Sequence, residues 1–434
     1  MTTTLLTLLA ACQPELDTVV TVTPDADNVT VARATLDRAV PGQAWIEWES
    51  ATEETRATPA DSDANAFTLL GLRADTRYTW RLMSAEDGAD VELASGQFRT
   101  DPLPTNVPLF DVEGGDVEMP YTLFSMTSGG GDDAHSTLYV LDSTGAIVWY
   151  RLVEGLVLSA RVTRDGTGVA WQTSAPTSAA NEDDSRIERV RFDGSGYTRV
   201  AAPMSHHDFL ELPDGSFVTL STTVRMAEED QVPIAGDVVV RHHLDGTDEE
   251  LWNAFDEVPI AWNEGWELEP RDWTHGNGLA WDEDNDRFAI SLFRQHQVHL
   301  FSGDGSWCDA VGGDGGYAFV GDPGFGPQHA PRFQDGKLLV FDNAGGGVSR
   351  LAAYTLDDEA RTATLAWDRP SPWGDQILVL GDGLLLPDGS TLTAWGEQGR
   401  MLTLSPDGQP SRIVVAQAHG AIGRVSVFDS FYGE

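Results

Sequence analysis

Ten histidines are distributed unevenly along the chain, and three segments combine a histidine with other side chains suited to catalysis. The segments are His206-His207-Asp208-Phe209, Asp272-Trp273-Thr274-His275-Gly276-Asn277, and Gly326-Pro327-Gln328-His329. An arginine, Arg294, follows the second segment. Imidazole can act as nucleophile, acid or base near pH 7, and a guanidinium offers a planar, permanently charged fork to a tetrahedral oxyanion. These residue types therefore suit nucleophilic and acid–base chemistry on an anionic group.

Other common catalytic and metal-binding motifs are absent from the sequence. It contains no Cys-x-x-Cys pair and no Gly-x-Ser-x-Gly nucleophile elbow. The acidic run Asp282 to Asp286 lacks the closing glutamate of an EF-hand calcium loop, so we interpret it as a solvated hairpin tip. The glycines between residues 312 and 316 are not followed by the Lys-Ser or Lys-Thr of a phosphate-binding loop. We therefore expect neither a metal nor a cofactor.

The chain is strongly acidic. Its 434 residues include 27 Lys and Arg against 69 Asp and Glu, which gives a formal net charge of −42 at pH 7. Such a surface repels nucleic acid and anionic lipid headgroups, so we expect neither as a partner. The apolar fraction of 41% supplies enough core-forming surface to exclude disorder for most of the chain.

The amino-terminal residues resemble a bacterial lipoprotein signal, although no basic residue precedes the apolar run. Leu5 to Leu9 form that run, which is too short to span a bilayer and leads into Ala10, Ala11 and Cys12. The resemblance implies a signal peptide over residues 1–12 with lipidation at Cys12. It implies an exported periplasmic or cell-surface lipoprotein, held to the outer membrane only by its lipid. The alternative is an apolar strand start. Cys308 then has no disulfide partner within the chain.

The next segment, residues 17–101, shows the alternation of an all-β sandwich. Apolar positions alternate in stretches such as Ala44-Trp45-Ile46-Glu47-Trp48, with turn residues every ~8 to 12 positions. The segment resembles a fibronectin type III domain, in which the Leu72-to-Tyr78 spacing forms a tyrosine corner. Residues 102–108 are rich in proline and are predicted to form a stiff linker.

From residue 109 to residue 434 the sequence repeats short apolar strands around Asp-Gly turns, among them Asp165-Gly166, Asp214-Gly215, Asp304-Gly305 and Asp388-Gly389. Asp-Gly between alternating apolar runs is a strong hairpin signal because both turn residues tolerate positive φ. No helical period is long enough for a parallel crossover. Repeated antiparallel hairpins predict a β-propeller of four-stranded blades. At ~45 to 55 residues per blade the length predicts six blades, with seven as the alternative.

Taken in order, the three histidine segments resemble the bacterial arylsulfotransferase family. Its members are six-bladed propellers that move a sulfuryl group between phenols without a nucleotide sulfate donor. The resemblance covers roughly residues 109–368. It implies that His329, in the Gln-His pair, is transiently sulfurylated. The further site residues that it implies are His275, Asn277, Arg294 and His207, with His206 as the alternative to His207.

The implied reaction takes an aryl sulfate donor and a phenol acceptor. Sulfuryl transfer spreads charge over three equatorial oxygens, so the protein must position the reactants and stabilise that charge. His329 would attack sulfur and divide the reaction into two transfers. His207 or His275 would protonate the departing phenolate and then deprotonate the acceptor. Asn277 would donate to a sulfuryl oxygen. Because the substrates are anions, Arg294 and the histidines must create a local positive region within the acidic surface.

Two other functions are compatible with the same sequence. One is a catalytically inactive, lipid-anchored propeller that serves as a surface binding or scaffold module, because a fold alone does not imply a function. The other is hydrolysis of aryl sulfates with water as the acceptor. Trp262, Trp266 and Trp273 lie near the histidine segments and could either form an aromatic wall for a phenol or belong to blade cores. The oligomeric state is not apparent from the sequence.

Overall fold

The computed structural model describes residues 18–86, 88–115, 117, 119–129, 134–174, 184–226, 232–260, 271–344 and 347–433. The predicted signal peptide with Cys12 lies outside the described residues, as do Trp262 and Trp266. The chain divides into two compact units, one ending at Leu103 and the other beginning at Pro104. The segment predicted as a linker, residues 102–108, spans this division. In the described part of the chain, no helix has the length and apolar character needed to cross a membrane.

The first unit is built from antiparallel strands. They are β1 (Val20–Pro24), β2 (Ala32–Leu36), β3 (Gln43–Ser50), β4 (Glu53–Ala57), β5 (Asp61–Ser62), β6 (Ala66–Leu69), β7 (Arg77–Glu86) and β8 (Ala89–Arg99). One sheet has the order β1-β2-β6, and the other has the order β4-β3-β7-β8 with β5 beside β3. Buried and exposed residues alternate along β2 and β3, because one face of each sheet is packed against the core. The unit is therefore a β-sandwich.

Tyr78 has the hydrogen bonds of the predicted tyrosine corner. Its hydroxyl accepts from the backbone N–H of Arg73 at 2.7 Å and donates to Glu53 Oε2 at 2.5 Å. Burial and the bond to Glu53 raise the pKa of Tyr78 above its ordinary value. Its ring stacks on that of Phe98, with centroids 5.3 Å apart. The wider resemblance of this unit to fibronectin type III domains stays a prediction.

The second unit is also made of strands, apart from one turn of α-helix, α1 (Ala254–Glu257), and a 3-10 turn, Gly396–Gln398, within the described residues. Its strands are β9 (Phe110–Gly114), β10 (Tyr121–Ser128), β11 (His135–Asp142), β12 (Ile147–Glu154), β13 (Ala160–Val162), β14 (Gly168–Thr173), β15 (Arg186–Arg191), β16 (Thr198–Ala201), β17 (Ser205–Glu211), β18 (Phe217–Met226), β19 (Pro233–His242), β20 (Asp248–Asn253), β21 (Arg271–Asp272), β22 (Gly276–Asp282), β23 (Arg287–Leu292), β24 (Gln297–Ser302), β25 (Cys308–Val311), β26 (Ala318–Val320), β27 (Gln328–Gln334), β28 (Lys337–Asp342), β29 (Arg350–Asp357), β30 (Thr362–Pro370), β31 (Asp382–Leu385), β32 (Thr391–Trp395), β33 (Arg400–Leu404), β34 (Pro410–Ala416) and β35 (Ala421–Phe428).

Within the described residues these strands form six sheets, which are the blades of a propeller. Their four-stranded antiparallel cores are β35-β10-β11-β12, β13-β14-β15-β16, β17-β18-β19-β20, β22-β23-β24-β25, β27-β28-β29-β30 and β31-β32-β33-β34. The blades pack in a ring, through contacts of β35 with β13, β14 with β17, β17 with β22, β22 with β27, β27 with β31, and β31 with β35. The predicted all-β class and six blades, rather than seven, are confirmed.

Two strand pairings between distant parts of the chain close the ring. The last strand, β35, pairs with β10 and becomes the innermost strand of the first blade. The first strand of the second unit, β9, pairs with β34 and forms the outer edge of the last blade. Each pairing satisfies the backbone of a strand that would otherwise be an open edge. The propeller therefore depends on both ends of the second unit.

Tryptophan supplies part of the core between neighbouring blades. Trp273 is fully buried in a cluster that joins the blades of β17–β20 and β22–β25, and it packs there with side chains such as Val239 and Ile290. Burial of an aromatic side chain of this size stabilises the contact between blades. For Trp273, the core interpretation is therefore correct and the aromatic-wall interpretation is wrong.

Candidate active site

The innermost strands of three successive blades are bulged near their first residues. The antiparallel register shifts between Ser205 and Phe209 on β17, between Gly276 and Gly278 on β22, and between His329 and Arg332 on β27. His207 and Ala330 lie at these bulges with φ of 59° and 53°. A bulge re-aims side chains. His207, Asn277 and His329 consequently line one cavity at this end of the channel, here called the histidine end.

Close approach of β22 to β27 places Asn277 beside the Gln-His pair. A Cβ at Gly278 would lie 2.5 Å from Pro331 Cδ, so a larger residue there would push the two strands apart. Asn277 Nδ2 donates to the backbone oxygen of Gln328 at 2.7 Å. Asn277 Oδ1 is buried and has no hydrogen-bond partner within the described residues. The amide predicted to donate to a sulfuryl oxygen thus donates to the backbone in this conformation.

His329 is held as a neutral imidazole by hydrogen bonds at both nitrogens. Its Nδ1 lies 2.8 Å from Asn343 Oδ1, and the Asn343 Nδ2 group donates to the backbone oxygens of Ile377 and Leu380 at 3.0 and 2.9 Å. Asn343 Oδ1 must therefore accept, which places the His329 proton on Nδ1. The N–H of Leu380 donates to His329 Nε2 at 3.2 Å. Burial lowers the pKa of His329 to about 3. The lone pair of His329 is thus on Nε2.

His207 and His275 lie against each other, with ring centroids 5.4 Å apart. Burial, and then the charge of His206, lower the pKa of His207 well below its ordinary value. Burial alone would also lower the pKa of His275, but the hydrogen bond from its Nδ1 to Asp272 Oδ2 and the charge of that carboxylate raise it. These neighbouring imidazoles therefore favour different protonation states, as an acid and a base require.

His206 does not line the cavity, and it contacts His207. The Nδ1 atoms of the two rings are 2.8 Å apart, so one donates to the other. On its other side, His206 Nε2 lies 3.1 Å from Asp237 Oδ1. Asp237 is buried and accepts from Thr274 Oγ1 at 2.5 Å and from the N–H of Gly276 at 2.6 Å. Of the two candidate histidines, His207 is the one that lines the cavity.

Arg294 lies outside this cavity. It is exposed on the turn between β23 and β24, where its backbone N–H donates to Thr274 O at 3.2 Å. Its charge acts on Asp272 and His275, because it helps to lower the pKa of Asp272 and opposes protonation of His275. Phe293, the preceding residue, contacts His275 and His329 with ring centroids at 5.6 and 5.3 Å. Phe293 therefore packs between the two histidines.

A buried network of charges crosses the channel beside the histidines, and we call it the hub. Arg424 on β35 donates through Nε and Nη2 to Asp208 Oδ2 at 2.9 and 2.5 Å, and through Nη1 to Asp382 Oδ1 at 3.0 Å. Asp208 and Asp382 are each 1% exposed. Arg161 adds a bond to Asp208 Oδ1 at 2.9 Å, and Arg332 adds one to Asp382 Oδ2 at 3.0 Å. The hub thus joins the innermost strands of five blades.

The sixth blade joins the hub through its backbone. Leu279 on β22 donates its N–H to Asp208 Oδ2 and accepts from Arg424 Nη2, both at 2.9 Å. Ion pairing with Arg161 and Arg424 holds the pKa of Asp208 far below its ordinary value, although burial alone would raise it. The hub fixes the inner strands relative to one another, and therefore fixes the histidines that these strands carry.

The cavity at the histidine end is nearly filled by protein. Its volume is about 20 Å³, and its walls include His207, His329, Leu380 and Arg424. This is enough for a water molecule and much less than an aromatic ligand needs. One wall is the segment from Leu380 to Gly381, in which both residues have positive φ, 63° and 112°. Entry of an aromatic ligand would require this wall or a neighbouring one to move.

The arylsulfotransferase (ASST) family model matches residues 115–306. The matched segment contains His207, His275, Asn277 and Arg294, and His329 lies beyond it. No curated protein is significantly similar to the chain. Among solved structures, a protein of unknown function from Bacteroides caccae is 13% identical, with 70% of this chain and 97% of that chain covered and a TM-score of 0.46. The periplasmic gluconolactonase of Pseudomonas aeruginosa is 12% identical, with coverage of 71% and 100% and a TM-score of 0.43.

Several residues that shape the site are not among those predicted from the three histidine segments. They are Asp208, Asp237, Asp272, Asn343, Leu380 and Arg424. Asp208 and Asp272 stand inside the quoted segments, and a charge within an apolar strand is a signal that they are buried and paired. Arg424 gives the same signal, in the strand Ala421–Phe428. Leu380 acts through its backbone, and no side-chain pattern could have indicated it.

Proposed function

We propose that the protein is an arylsulfotransferase, which moves a sulfuryl group from an aryl sulfate to a phenol through a sulfohistidine at His329. The observation that carries the proposal is the state of His329, a buried neutral imidazole with its proton on Nδ1 and its lone pair on Nε2. The ASST family model supports the reaction class. Because the aryl sulfate is itself the donor and His329 supplies the nucleophile, the proposed transfer uses no nucleotide sulfate donor, metal or cofactor.

In the first transfer, Nε2 of His329 attacks sulfur and the bond from sulfur to the aryl oxygen breaks. The ring then carries the sulfuryl group on Nε2 and its original proton on Nδ1, so positive charge develops on the imidazole. Asn343 Oδ1 accepts from Nδ1 and stabilises that charge. The Leu380 N–H, which donates to Nε2 in this conformation, must leave it as sulfur approaches and is then available to donate to a sulfuryl oxygen. The product is a sulfohistidine and a departing phenolate.

The departing phenolate takes a proton from His275. Asp272 favours the protonated form of His275, so this imidazole is the general acid of the first transfer. In the second transfer the acceptor phenol loses its proton and attacks sulfur, which returns His329 to its starting state. His207 suits the role of base because its lowered pKa keeps it neutral. The proton that His207 takes up then passes to His275, whose ring it contacts, so that both imidazoles regain their starting states before the next cycle. His206 Nε2 lies 3.1 Å from Asp237 Oδ1, and with the His206 proton on that nitrogen, His206 Nδ1 accepts from His207 Nδ1 and the lone pair of His207 is on Nε2.

Arg294 does not line the cavity, so we assign it no contact with the sulfuryl group at His329. Its exposed position between β23 and β24 suits capture of the anionic donor at the mouth of the site, before sulfur reaches His329. Export and lipidation at Cys12 belong to the same proposal, and they rest on the sequence alone. Mass spectrometry of the amino terminus of the protein, isolated from membranes, tests them. A diacylated Cys12 peptide is expected, and it disappears in Cys12→Ser.

The second candidate is an inactive propeller that binds a partner, and the 20 Å³ cavity favours it. A turnover assay separates the candidates. The protein is incubated with 4-nitrophenyl sulfate, with and without added phenol, and release of 4-nitrophenolate is followed. The transferase predicts release that rises with phenol and yields phenyl sulfate, whereas a sulfatase releases the chromophore equally without phenol. His329→Asn abolishes release, and His419→Asn, at an exposed histidine of the same unit, leaves it unchanged.

A further inference from the structure

The propeller has a second, larger cavity at the other end of its channel. Its volume is about 430 Å³, within the usual range for small-molecule sites. It lies among the final residues of the innermost strands, such as Glu211 on β17, Trp281 on β22 and Gln334 on β27. The histidines lie at the beginnings of the same strands. We call this second space the far cavity.

The hub separates the far cavity from the histidine end. Arg424 lines the cavity that contains His207 and His329. Arg161 and Arg332 line the far cavity and bond to Asp208 and Asp382, the carboxylates that also bind Arg424. A ligand in one cavity is therefore divided from the other by a layer of buried ion pairs. The far cavity is a separate space and is not an extension of the candidate active site.

The hub carries more positive than negative charge. Within the described residues its guanidiniums are those of Arg161, Arg332 and Arg424, and their ion-pair partners are Asp208 and Asp382 alone. Burial, together with the charges of Arg424 and Arg332, lowers the pKa of Arg161, although Asp208 acts in the opposite direction. A buried excess charge is unfavourable unless a counter-ion approaches it. The side of the hub that faces the far cavity is where a counter-ion can do so.

Arg161 and Arg332, which line the far cavity, carry donors that no protein atom of the described residues uses. Their hydrogen bonds within the described residues all leave from Nη2, and the Nε of each has no partner. Arg164, at the rim, is paired with Glu283 at 3.0 Å. The other acidic residue of the lining, Glu211, accepts from Arg189 Nη1 at 2.9 Å. The acidic groups of the far cavity are therefore already neutralised, whereas its unsatisfied groups are donors, namely the Nε atoms of Arg161 and Arg332 and Nε1 of Trp281.

The remaining walls are suited to a flat apolar body. Phe209, Trp281 and Phe333 line the cavity. Arg161 and Arg164 lie over the rings of Phe209 and Trp281 at 6.0 and 5.9 Å, so cations and aromatic faces alternate around the space. Aromatic walls with a few convergent polar groups are typical of small-molecule sites. We propose that the far cavity is a second binding site, which takes a small aromatic anion such as an aryl sulfonate or aryl carboxylate. This proposal does not depend on the transferase reaction.

Binding of 4-bromobenzenesulfonate tests this proposal, because its carbon–sulfur bond gives no sulfuryl group to transfer. Calorimetry with the full chain is expected to show saturable binding, and anomalous scattering from soaked crystals is expected to place bromine beside Trp281. The neutral 4-bromobenzenesulfonamide should bind at least tenfold more weakly, since the excess charge of the hub would stay uncompensated. Bromine only at the histidine end, or equal affinity for the sulfonamide, would overturn the proposal.

Matched variants show which cavity accounts for the binding of 4-bromobenzenesulfonate measured in solution. Ser426→Phe fills the far cavity, whose wall includes Ser426, and it should remove one binding site. Arg164→Gln, at a side chain that is 42% exposed and lies outside the hub, should weaken binding about threefold or more without affecting folding. His329→Asn changes only the other end and should leave this binding site intact. Retention of all binding by Ser426→Phe and Arg164→Gln, or its loss in His329→Asn, contradicts the assignment.

Discussion

Nδ1 of His329 lies 2.8 Å from Oδ1 of Asn343, and Asn343 can only accept there because its amide nitrogen donates to Ile377 and Leu380. The side chain of Asn343 therefore determines which nitrogen of His329 carries the proton. A hydrogen-bond partner of this kind fixes the tautomer and the orientation of a reactive imidazole. Asn343 is accordingly a positioning residue, and it acts on the substrate only through His329.

Substitution of Asn343 should change both the rate and its pH dependence. Asn343→Leu removes the acceptor, and we expect kcat to fall about 100-fold with KM little changed, because the bond strengthens as charge develops on the ring. Asn343→Asp adds a carboxylate that raises the pKa of His329 from about 3. His329 would then be protonated and inactive in mildly acidic solution, so the acid limb of the kcat profile should move to higher pH. Unchanged pH profiles would assign Asn343 a purely structural role.

The ion pair of Asp272 with His275 should set the alkaline limb of the pH–activity profile. The pKa of His275 is raised above 6.5, so His275 is protonated below that raised value and loses its proton as the pH increases through it. Activity that depends on His275 as the acid should decline on the alkaline side. Asp272→Asn removes the carboxylate and should move this limb to lower pH by about one unit or more. The shift is measured from the pH profile with an aryl sulfate whose phenolate is a poor leaving group. The phenolate of 4-nitrophenyl sulfate needs less protonation as it departs, so the profile with this donor should be less affected.

Several features of the fold follow from local sequence, and others depend on contacts between distant residues. Asp-Gly turns between apolar runs predict hairpins because both residues of each turn are adjacent in the chain, and six blades follow from the length of the repeated segment at ~45 to 55 residues per blade. The hub could not be predicted in this way, because Arg424 and Asp208 are 216 positions apart. The bulges bring His207, Asn277 and His329 to one cavity, whereas Arg294 stays exposed because it lies on a turn outside the innermost strands.

Removal of one hub carboxylate should destabilise the propeller. Asp208→Asn leaves Arg161 and Arg424 with one fewer negative charge in a buried position, and we expect the free energy of unfolding to fall by about 3–5 kcal/mol. Denaturant titration of the full chain, with separate signals for the two units, measures this. Arg225→Gln, which breaks the exposed pair with Asp256, is the matched control and should leave the unfolding midpoint almost unchanged. Equal effects of the two substitutions would show that the hub contributes no more than a surface pair.

Ionic strength should affect substrate capture through the net charge of −42. The donor is an anion, so the acidic surface repels it, and the Debye length shortens from about 30 Å at 0.01 M salt to about 8 Å at 0.15 M. We expect KM for the aryl sulfate to fall as sodium chloride increases over this range, with kcat unchanged. Arg294→Gln should raise KM most at low salt. A KM that increases steadily with salt would mean that local positive charge dominates the approach of the donor.

Mass spectrometry of the trapped intermediate shows whether His329 carries the sulfuryl group. The protein is mixed with 4-nitrophenyl sulfate without an acceptor, quenched at alkaline pH, where a sulfohistidine resists hydrolysis better than in acid, and digested. We predict one added sulfuryl group on the peptide that contains His329, which disappears when phenol is added and is absent from His329→Asn. An unmodified His329 peptide from protein that turns over 4-nitrophenyl sulfate, or modification of another residue, would exclude His329 as the carrier of the sulfuryl group.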